Sequence, residues 1–145
     1  MLQIIYTKNL SQRAGVYYVR TQTMVRGFHI SLEKEFDEGD TPETNYMLLL
    51  DGVLPIATCR LNLINEKEAK IERVCVLKEY QGKGLGRKLI EAAEKQLNES
   101  GIKRIIITSR DEAVGFYEAL GYKADYSKVE KGGVFNTIYT EKTLV

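Results

Sequence analysis

The 145-residue chain has almost no excess of charge of either sign: 21 Lys and Arg against 20 Asp and Glu leave a net charge of +1. No long-range field then favours nucleic acid or an anionic membrane, so a charged ligand has to be held by groups placed locally. Cysteine is scarce as well. Cys59 and Cys75 each stand alone in an apolar segment, with no CxxC or Cys/His spacing, which argues against a zinc site or redox motif and for two buried reduced thiols. Nowhere do about 18 apolar residues run together, as a membrane-spanning helix requires. The opening MLQIIYTKNLSQRAG lacks the basic start, long apolar run and small-residue cleavage site of a secretory signal. These absences point to a soluble cytoplasmic protein with no metal, nucleic-acid or membrane partner. Repeats, low-complexity tracts and linkers are also missing, so residues 1–145 are expected to form a single domain.

What is present is the composition of an ordinary folded protein, 43% hydrophobic and 28% charged, enough to bury a core. LQIIYT suits a first strand. Leu10, Ala14, Tyr17, Thr21, Met24 and Phe28 recur at steps of three and four, predicting a helix with that stripe toward the core and Ser11 as a capping residue. Residues 31–43, SLEKEFDEGDTPE, carry six acids against one lysine and read as a short helix running into a solvated loop. NYMLLLDGVLPIATCRLNL is two strands about an Asp51-Gly52 turn, and AKIERVCVL is a third strand paired beside them. Leu85, Leu89, Ala92, Ala93 and Leu97 mark a helix ending near Gly101. KRIIITS reads as a buried central strand. A helix from Asp111 to Leu120, stopped by Gly121, and two strands close the chain. The expected fold is α+β: a mixed, mostly antiparallel sheet flanked by helices.

The segment QGKGLG, residues 81–86, puts three glycines at the mouth of the best helix, where each costs about 1 kcal/mol relative to alanine inside a helix. It is not a P-loop, which needs GxxxxGK followed by Ser or Thr. Nor is it a dinucleotide fingerprint, because Arg87 and Leu89 stand where GxGxxG would need glycine. What remains is a strand, a glycine turn and a helix whose first N–H groups and positive dipole end form an anion site. Lys83, Arg87 and Lys88 crowd that end, where cations are normally disfavoured, and a bound anion would resolve the conflict. A tight turn that needs glycine for geometry alone is the competing explanation.

Gln81, Gly84 and Gly86 match the Q/R-x-x-G-x-G/A signature of the GNAT superfamily of N-acetyltransferases, and VCVLKEYQGKGLGRKLI resembles that family's coenzyme A motif throughout. AVGFYEALGY, residues 113–122, is similar to the family's AxxFYxxxGF segment, and the order of elements is similar from about residue 2 to residue 142. VRTQTMV, EKEFD and IERVCVL resemble the small bacterial YjcF-like and ElaA-like branch through Arg20, Glu35, Asp37, Glu72 and Arg73, residue types that equally serve as surface ion pairs. Arg110 departs from the pattern, standing where many members carry an asparagine near the coenzyme.

The resemblance implies a GNAT-like three-layer fold and acetyl transfer from acetyl-coenzyme A directly to a primary amine. It places the coenzyme on Gln81, Gly82, Lys83, Gly84, Leu85, Gly86 and Arg87, with Arg110 and Tyr117 beside it. A main-chain N–H of Cys75 or Val76, freed where a strand splays, would polarise the thioester carbonyl, and Tyr117 would act as general acid. Glu72 is the candidate general base, with pairing to Arg60 or Arg73 as its structural alternative. His29, the only histidine, is expected to be solvated or capping. The acids Glu33, Glu35, Asp37, Glu38 and Asp40 are expected in a solvated loop, or else facing a polyamine-like or amino-sugar acceptor. Alternatives from other classes are a non-catalytic acyl-coenzyme A binding or sensing module and an interaction domain whose glycine loop is only a turn. Exposed edge strands and the apolar final segment FNTIYTEKTLV leave room for a homodimer.

Overall fold

The structure is a computed structural model that describes residues 1–145. Seven strands, β1 (Leu2–Tyr6), β2 (Asn45–Asp51), β3 (Leu54–Leu63), β4 (Glu68–Val76), β5 (Arg104–Arg110), β6 (Lys123–Lys131) and β7 (Asn136–Thr143), form one sheet in the order β1-β2-β3-β4-β5-β7-β6. Every pairing is antiparallel except β4 with β5. Two helices dominate the faces: α1 (Leu10–Arg20) and α3 (Leu85–Glu99). The pleat of β2 shows how they are divided. Tyr46 and Leu48 pack with Val16 of α1, whereas Met47 and Leu49 join the larger core that holds Leu89, Ile90 and Ala93 of α3, so alternate residues serve opposite faces. Two short helices complete the set, α2 (Leu32–Glu35) and α4 (Val114–Ala119).

Most turns follow local chemistry. The β2–β3 hairpin closes over Gly52-Val53, with Gly52 alone taking a positive φ of 62°. Ile105, Ile106 and Ile107 of β5 are all buried, as a central strand requires. The final segment is not at an edge: β7 lies between β5 and β6 and turns Ile138 and Thr140 into the protein's own interior, leaving β1 and β6 as the edges.

The first helix departs from its expected pattern. Leu10 is 77% exposed and Ala14 is exposed, while Gly15, Val16, Val19 and Arg20 are buried. The face is set by the close approach of Gly15, where an added Cβ would lie 3.0 Å from Leu48. Its polar member, Arg20, hides it from a search for apolar spacing. Asn9 rather than Ser11 is the cap, accepting from the Gln12 N–H at 3.0 Å. From Thr21 to Arg26 the chain widens into a π-helical turn, with the Thr23 hydroxyl donating to the Val19 carbonyl at 2.8 Å.

Candidate active site

The parallel ladder between β4 and β5 is only three residues long, Glu68 to Lys70 against Arg104 to Ile106, and beyond it the strands part. Arg104 staples the closed end, donating to Glu68 of β4 and to Glu141 and Tyr139 of β7. On its other side β4 bulges. Thr58 pairs with Cys75 and Arg60 with Glu72, so Arg73 and Val74 together oppose Cys59, and Arg73 takes a φ of 52°. Past the bulge the Leu77 N–H donates to Ile56 at 2.8 Å, which by the two-residue alternation turns the main chain of Cys75 toward β3 and that of Val76 into the gap. The Gln81 side-chain amide confirms that direction, reaching the Val76 carbonyl at 3.0 Å. The N–H of Val76 lies on the same side as its carbonyl, so of the pair Cys75 and Val76 it is Val76 that faces the opening.

A cleft of about 1300 Å³ fills the gap. At one end lies the glycine segment. Gly82 and Gly84 both have φ 77° with open space where a Cβ would be, and Gly84 caps α3 without a side-chain hydrogen bond. The first bond of α3 runs from the Lys88 N–H to Gly84, and none of the six main-chain N–H groups from Gly82 to Arg87 has an acceptor in the protein. No acid stands in the first turn of α3, where one would complement the dipole. Gly86 is different from the other two. It is helical, and a Cβ there would meet the Phe116 ring at 3.4 Å. Lys83 lies over the Tyr80 ring at 5.3 Å, and Arg87 makes a loose exposed pair with Glu91 at 3.7 Å.

Tyr117, on α4, lines the middle of the cleft with its ring buried. Its hydroxyl has no hydrogen-bond partner, yet it is not sealed from solvent, which sets it apart from a tyrosine used only for packing. Burial, with a smaller push from Cys59, raises the Tyr117 phenol well above its ordinary range against the opposing pull of Arg110. Cys75 also lines the cleft, and burial pushes its thiol up to about 11, so it stays a neutral, unreactive wall. Arg110 lines the same cleft and packs on two aromatic rings. Its guanidinium stacks 4.6 Å from the centre of the Phe135 ring and 5.7 Å from that of Phe28, two rings that meet edge to face at 5.0 Å.

The acidic block is not a solvated loop. Arg20, 0% exposed, donates to Glu35, 2% exposed, at 2.9 Å and to Asp40 at 2.6 Å. Arg60 reaches Asp37 at 2.7 Å, Asp40 at 3.0 Å and Glu72 at 3.1 Å, and Arg73 closes the chain on Asp37 at 2.7 Å. The Tyr46 hydroxyl adds a bond to Asp40 at 2.7 Å. Burial alone would raise the Asp40 carboxyl, but the Arg20 and Tyr46 hydrogen bonds overcome it and hold Asp40 well below the usual carboxylate range. Glu33, Glu38 and Glu43 keep the expected exposure. The block is acidic because three arginines arrive from distant parts of the chain to meet it, and nothing in a local window reveals that.

The structure therefore brings Glu72, Cys75, Val76, Tyr117, Arg110 and the glycine segment except Lys83 to one cleft, and leaves Lys83 and His29, the latter exposed at φ 57°, outside its lining. Glu72 is partnered by Arg60 through one oxygen only. Sequence reasoning missed Phe28, Phe135 and the π turn. The lining of the cleft by Gln22, Thr23 and Met24 follows from that turn, for which the sequence carries no signal.

Comparison with known proteins agrees with this geometry. Residues 12–122 match the Acetyltransferase (GNAT) family. The N-acetyltransferase YjcF of Bacillus subtilis, itself uncharacterised, is 30% identical over 122 residues, 84% of this chain and 86% of that protein. A crystal structure from Lactobacillus plantarum, described as a candidate N-acetyltransferase, is 32% identical and superposes with a TM-score of 0.93 over 99% of both chains. Escherichia coli ElaA shares the fold at 16% identity, with a TM-score of 0.83 over 98% of this chain and 99% of its own. A splayed β4–β5 pair, a bulged β4 and an uncapped glycine-led helix, on a chain with these relatives, make this protein an acetyltransferase of the GNAT family.

Proposed function

We propose that the protein transfers the acetyl group of acetyl-coenzyme A directly to a primary amine held in the β4–β5 cleft. The observation that carries this is the run of six unpartnered N–H groups from Gly82 to Arg87, beside a cleft wide enough for both reactants. These groups, with the open space at Gly82 and Gly84, fit a pyrophosphate: they form a concave row of donors at a positive helix end, and Lys83 and Arg87 need only swing from weak surface contacts. When bound, the coenzyme supplies an acetyl thioester whose C–S bond breaks as the C–N bond to the amine forms, the amine losing one proton and the departing sulfur gaining one.

The chain's residues then have distinct tasks. Val76 directs its N–H into the gap, where it can meet the carbonyl oxygen as negative charge grows there. Gln81, itself in the lining, holds that peptide in place through the Val76 carbonyl. Tyr117 presents an unpaired hydroxyl. Because burial keeps the phenol protonated and makes it a weaker acid than a thiol of pKa about 8.5, it serves best as a hydrogen-bond donor that steadies charge on the leaving sulfur. Glu72 keeps Oε2 free of hydrogen bonds while Arg60 fixes Oε1, an arrangement that can receive the ammonium group and take its proton, directly or through water. Cys75 contributes its side chain to the wall.

Titration calorimetry with acetyl-coenzyme A, followed by a thiol-release screen over an amine library, tests this assignment. Saturable binding with amine-dependent release is expected. No binding at millimolar ligand would remove it, and release independent of any amine would remove the acceptor.

A further inference from the structure

The partly and fully buried acids of the loop are already committed. Glu35, Asp37 and Asp40 are bound by Arg20, Arg60 and Arg73, and the exposed acids Glu33, Glu38 and Glu43 lie outside the cleft lining, so the loop offers a polyamine in the cleft little negative charge. What the cleft leaves unmatched is a cation. The guanidinium of Arg110, 38% exposed, makes no hydrogen bond within the protein, and its one ion pair is a loose 3.4 Å contact to Glu112, itself 63% exposed. An exposed pair of that kind contributes little. Phe135 and Phe28 both lie against the guanidinium and hold it in place, and none of its N–H groups donates a hydrogen bond to the protein. A stacked arginine with a free edge is pre-organised for a carboxylate, which it grips through two parallel hydrogen bonds. The rings come from the β6–β7 hairpin and from two residues beyond the π turn, neither of them part of the glycine segment or of α3. Arg110 and the unpartnered N–H groups of the glycine segment thus reach one cleft from different elements.

We infer that Arg110 recognises a carboxylate on the acceptor, so that the accepted amine is an amino acid or a similarly small amino-carboxylate, with its nitrogen toward the free oxygen of Glu72. This deepens the acetyltransferase assignment and rests on it. The two ends of such a molecule match two groups of the cleft with spare capacity, a carboxylate oxygen on β4 and a guanidinium at the end of β5 that is held between aromatic rings, unlike the weakly partnered Arg26 and Lys78 of the lining. Asparagine at position 110 would offer one short neutral donor, whereas arginine offers charge and reach.

The test compares acceptors that differ only in the anion: free amino acids against their C-terminal amides, and β-alanine against propylamine, each assayed by thiol release at saturating acetyl-coenzyme A. The intact enzyme is expected to favour the carboxylate member in kcat/KM by roughly tenfold or more, the scale of a hydrogen-bonded charge pair. In Arg110→Ala that ratio falls to about one, and in Arg110→Lys, which keeps charge but loses the fork, it lies between. Arg110→Gln carries the same test should the alanine variant fold poorly. A wild-type ratio near one, a ratio retained in Arg110→Ala, or transfer to none of the anionic probes overturns the inference. So does weakened acetyl-coenzyme A binding in Arg110→Ala with the ratio intact, which would assign Arg110 to the coenzyme. Failure of the wild type to bind acetyl-coenzyme A at all would remove the underlying mechanism as well. Binding with transfer to plain amines alone removes only the carboxylate.

Discussion

Replacing Gly84 by alanine separates a turn glycine from a ligand-cradling one, because the fold supplies its own control. Gly84 has φ 77° and Gly52, in the β2–β3 hairpin, has φ 62°; a Cβ at either position would meet nothing within 4 Å. Steric conflict with the protein is therefore absent at both, and each substitution costs mainly the left-handed backbone penalty of about 1–2 kcal/mol. In a chain of this size that lowers Tm by roughly 3–8 °C. The two variants should melt alike. They should differ in binding, since the space a methyl would occupy at Gly84 adjoins six N–H groups that have no acceptor, and the space at Gly52 adjoins none of them. Displacing one charge-assisted hydrogen bond costs about 1.5–3 kcal/mol, or roughly ten- to hundredfold in Kd. Calorimetry with acetyl-coenzyme A on Gly84→Ala and Gly52→Ala, beside thermal melts of both, reads the two quantities independently. Equal melting losses with wild-type affinity in Gly84→Ala would refute the cradle and return the segment to a turn. Gly86→Ala is expected to melt close to wild type, because helix propensity gains about 1 kcal/mol while the contact with Phe116 tightens.

Tyr117→Phe should melt like the wild type, since the hydroxyl has no partner to lose, yet turn over roughly tenfold or more slowly in the thiol-release assay; equal turnover would remove its role. Arg73→Gly should be more stable than Arg73→Ala by about 1 kcal/mol in denaturant unfolding, because both lose the bond to Asp37 but only glycine relieves the φ of 52°. Equal stabilities would show that the bulge carries no such strain. Asp40 has its carboxyl depressed in the folded state, so below the unfolded carboxylate pKa of about 4 the unfolded chain binds more protons, and stability present above that pH is lost as pH falls. Urea unfolding between pH 6 and 2.5 should show a shallower acid limb for Asp40→Asn than for the wild type, and parallel limbs would contradict it.

Local chemistry made much of this molecule legible. Glycines at 52, 101 and 121 end elements where positive φ is needed, and the isoleucine run of β5 could only be a buried strand. The glycine segment and Tyr117 marked a candidate site because their motifs are short-range, and both line one cleft. Illegible were the features that depend on partners far away in sequence. Arg20 looks polar at residue 20 and is buried only because Glu35 and Asp40 meet it; Asp37 finds Arg73 thirty-six residues on. Phe28 and Phe135 become neighbours through the return of the final hairpin, and the opening of β4 from β5 depends on a bulge whose first residue, an arginine, carries no glycine to mark it.

The ion network also explains why the cleft stays open. A parallel pair is ordinarily held together by its ladder, and here the ladder stops after three residues, so β4 must be fixed from its other side. Arg60 on β3 and Arg73 on the bulge both grip Asp37, while Asp40 ties Arg60 to Arg20 of α1. Through these bonds α1 and the acidic loop anchor the bulged stretch of β4 just before Val76, and Gln81 anchors it just after. Removing one member of the buried part should cost about 3–5 kcal/mol, because it strands its partners' charge. Arg20→Ala is accordingly expected to lower Tm sharply, whereas Arg20→Met combined with Glu35→Leu and Asp40→Leu should recover part of that loss by leaving fewer buried charges unpaired. If the network served stability alone, activity would recover along with the melting temperature. If it aims Val76, the triple variant will melt higher than Arg20→Ala yet remain slow in thiol release with acetyl-coenzyme A still bound.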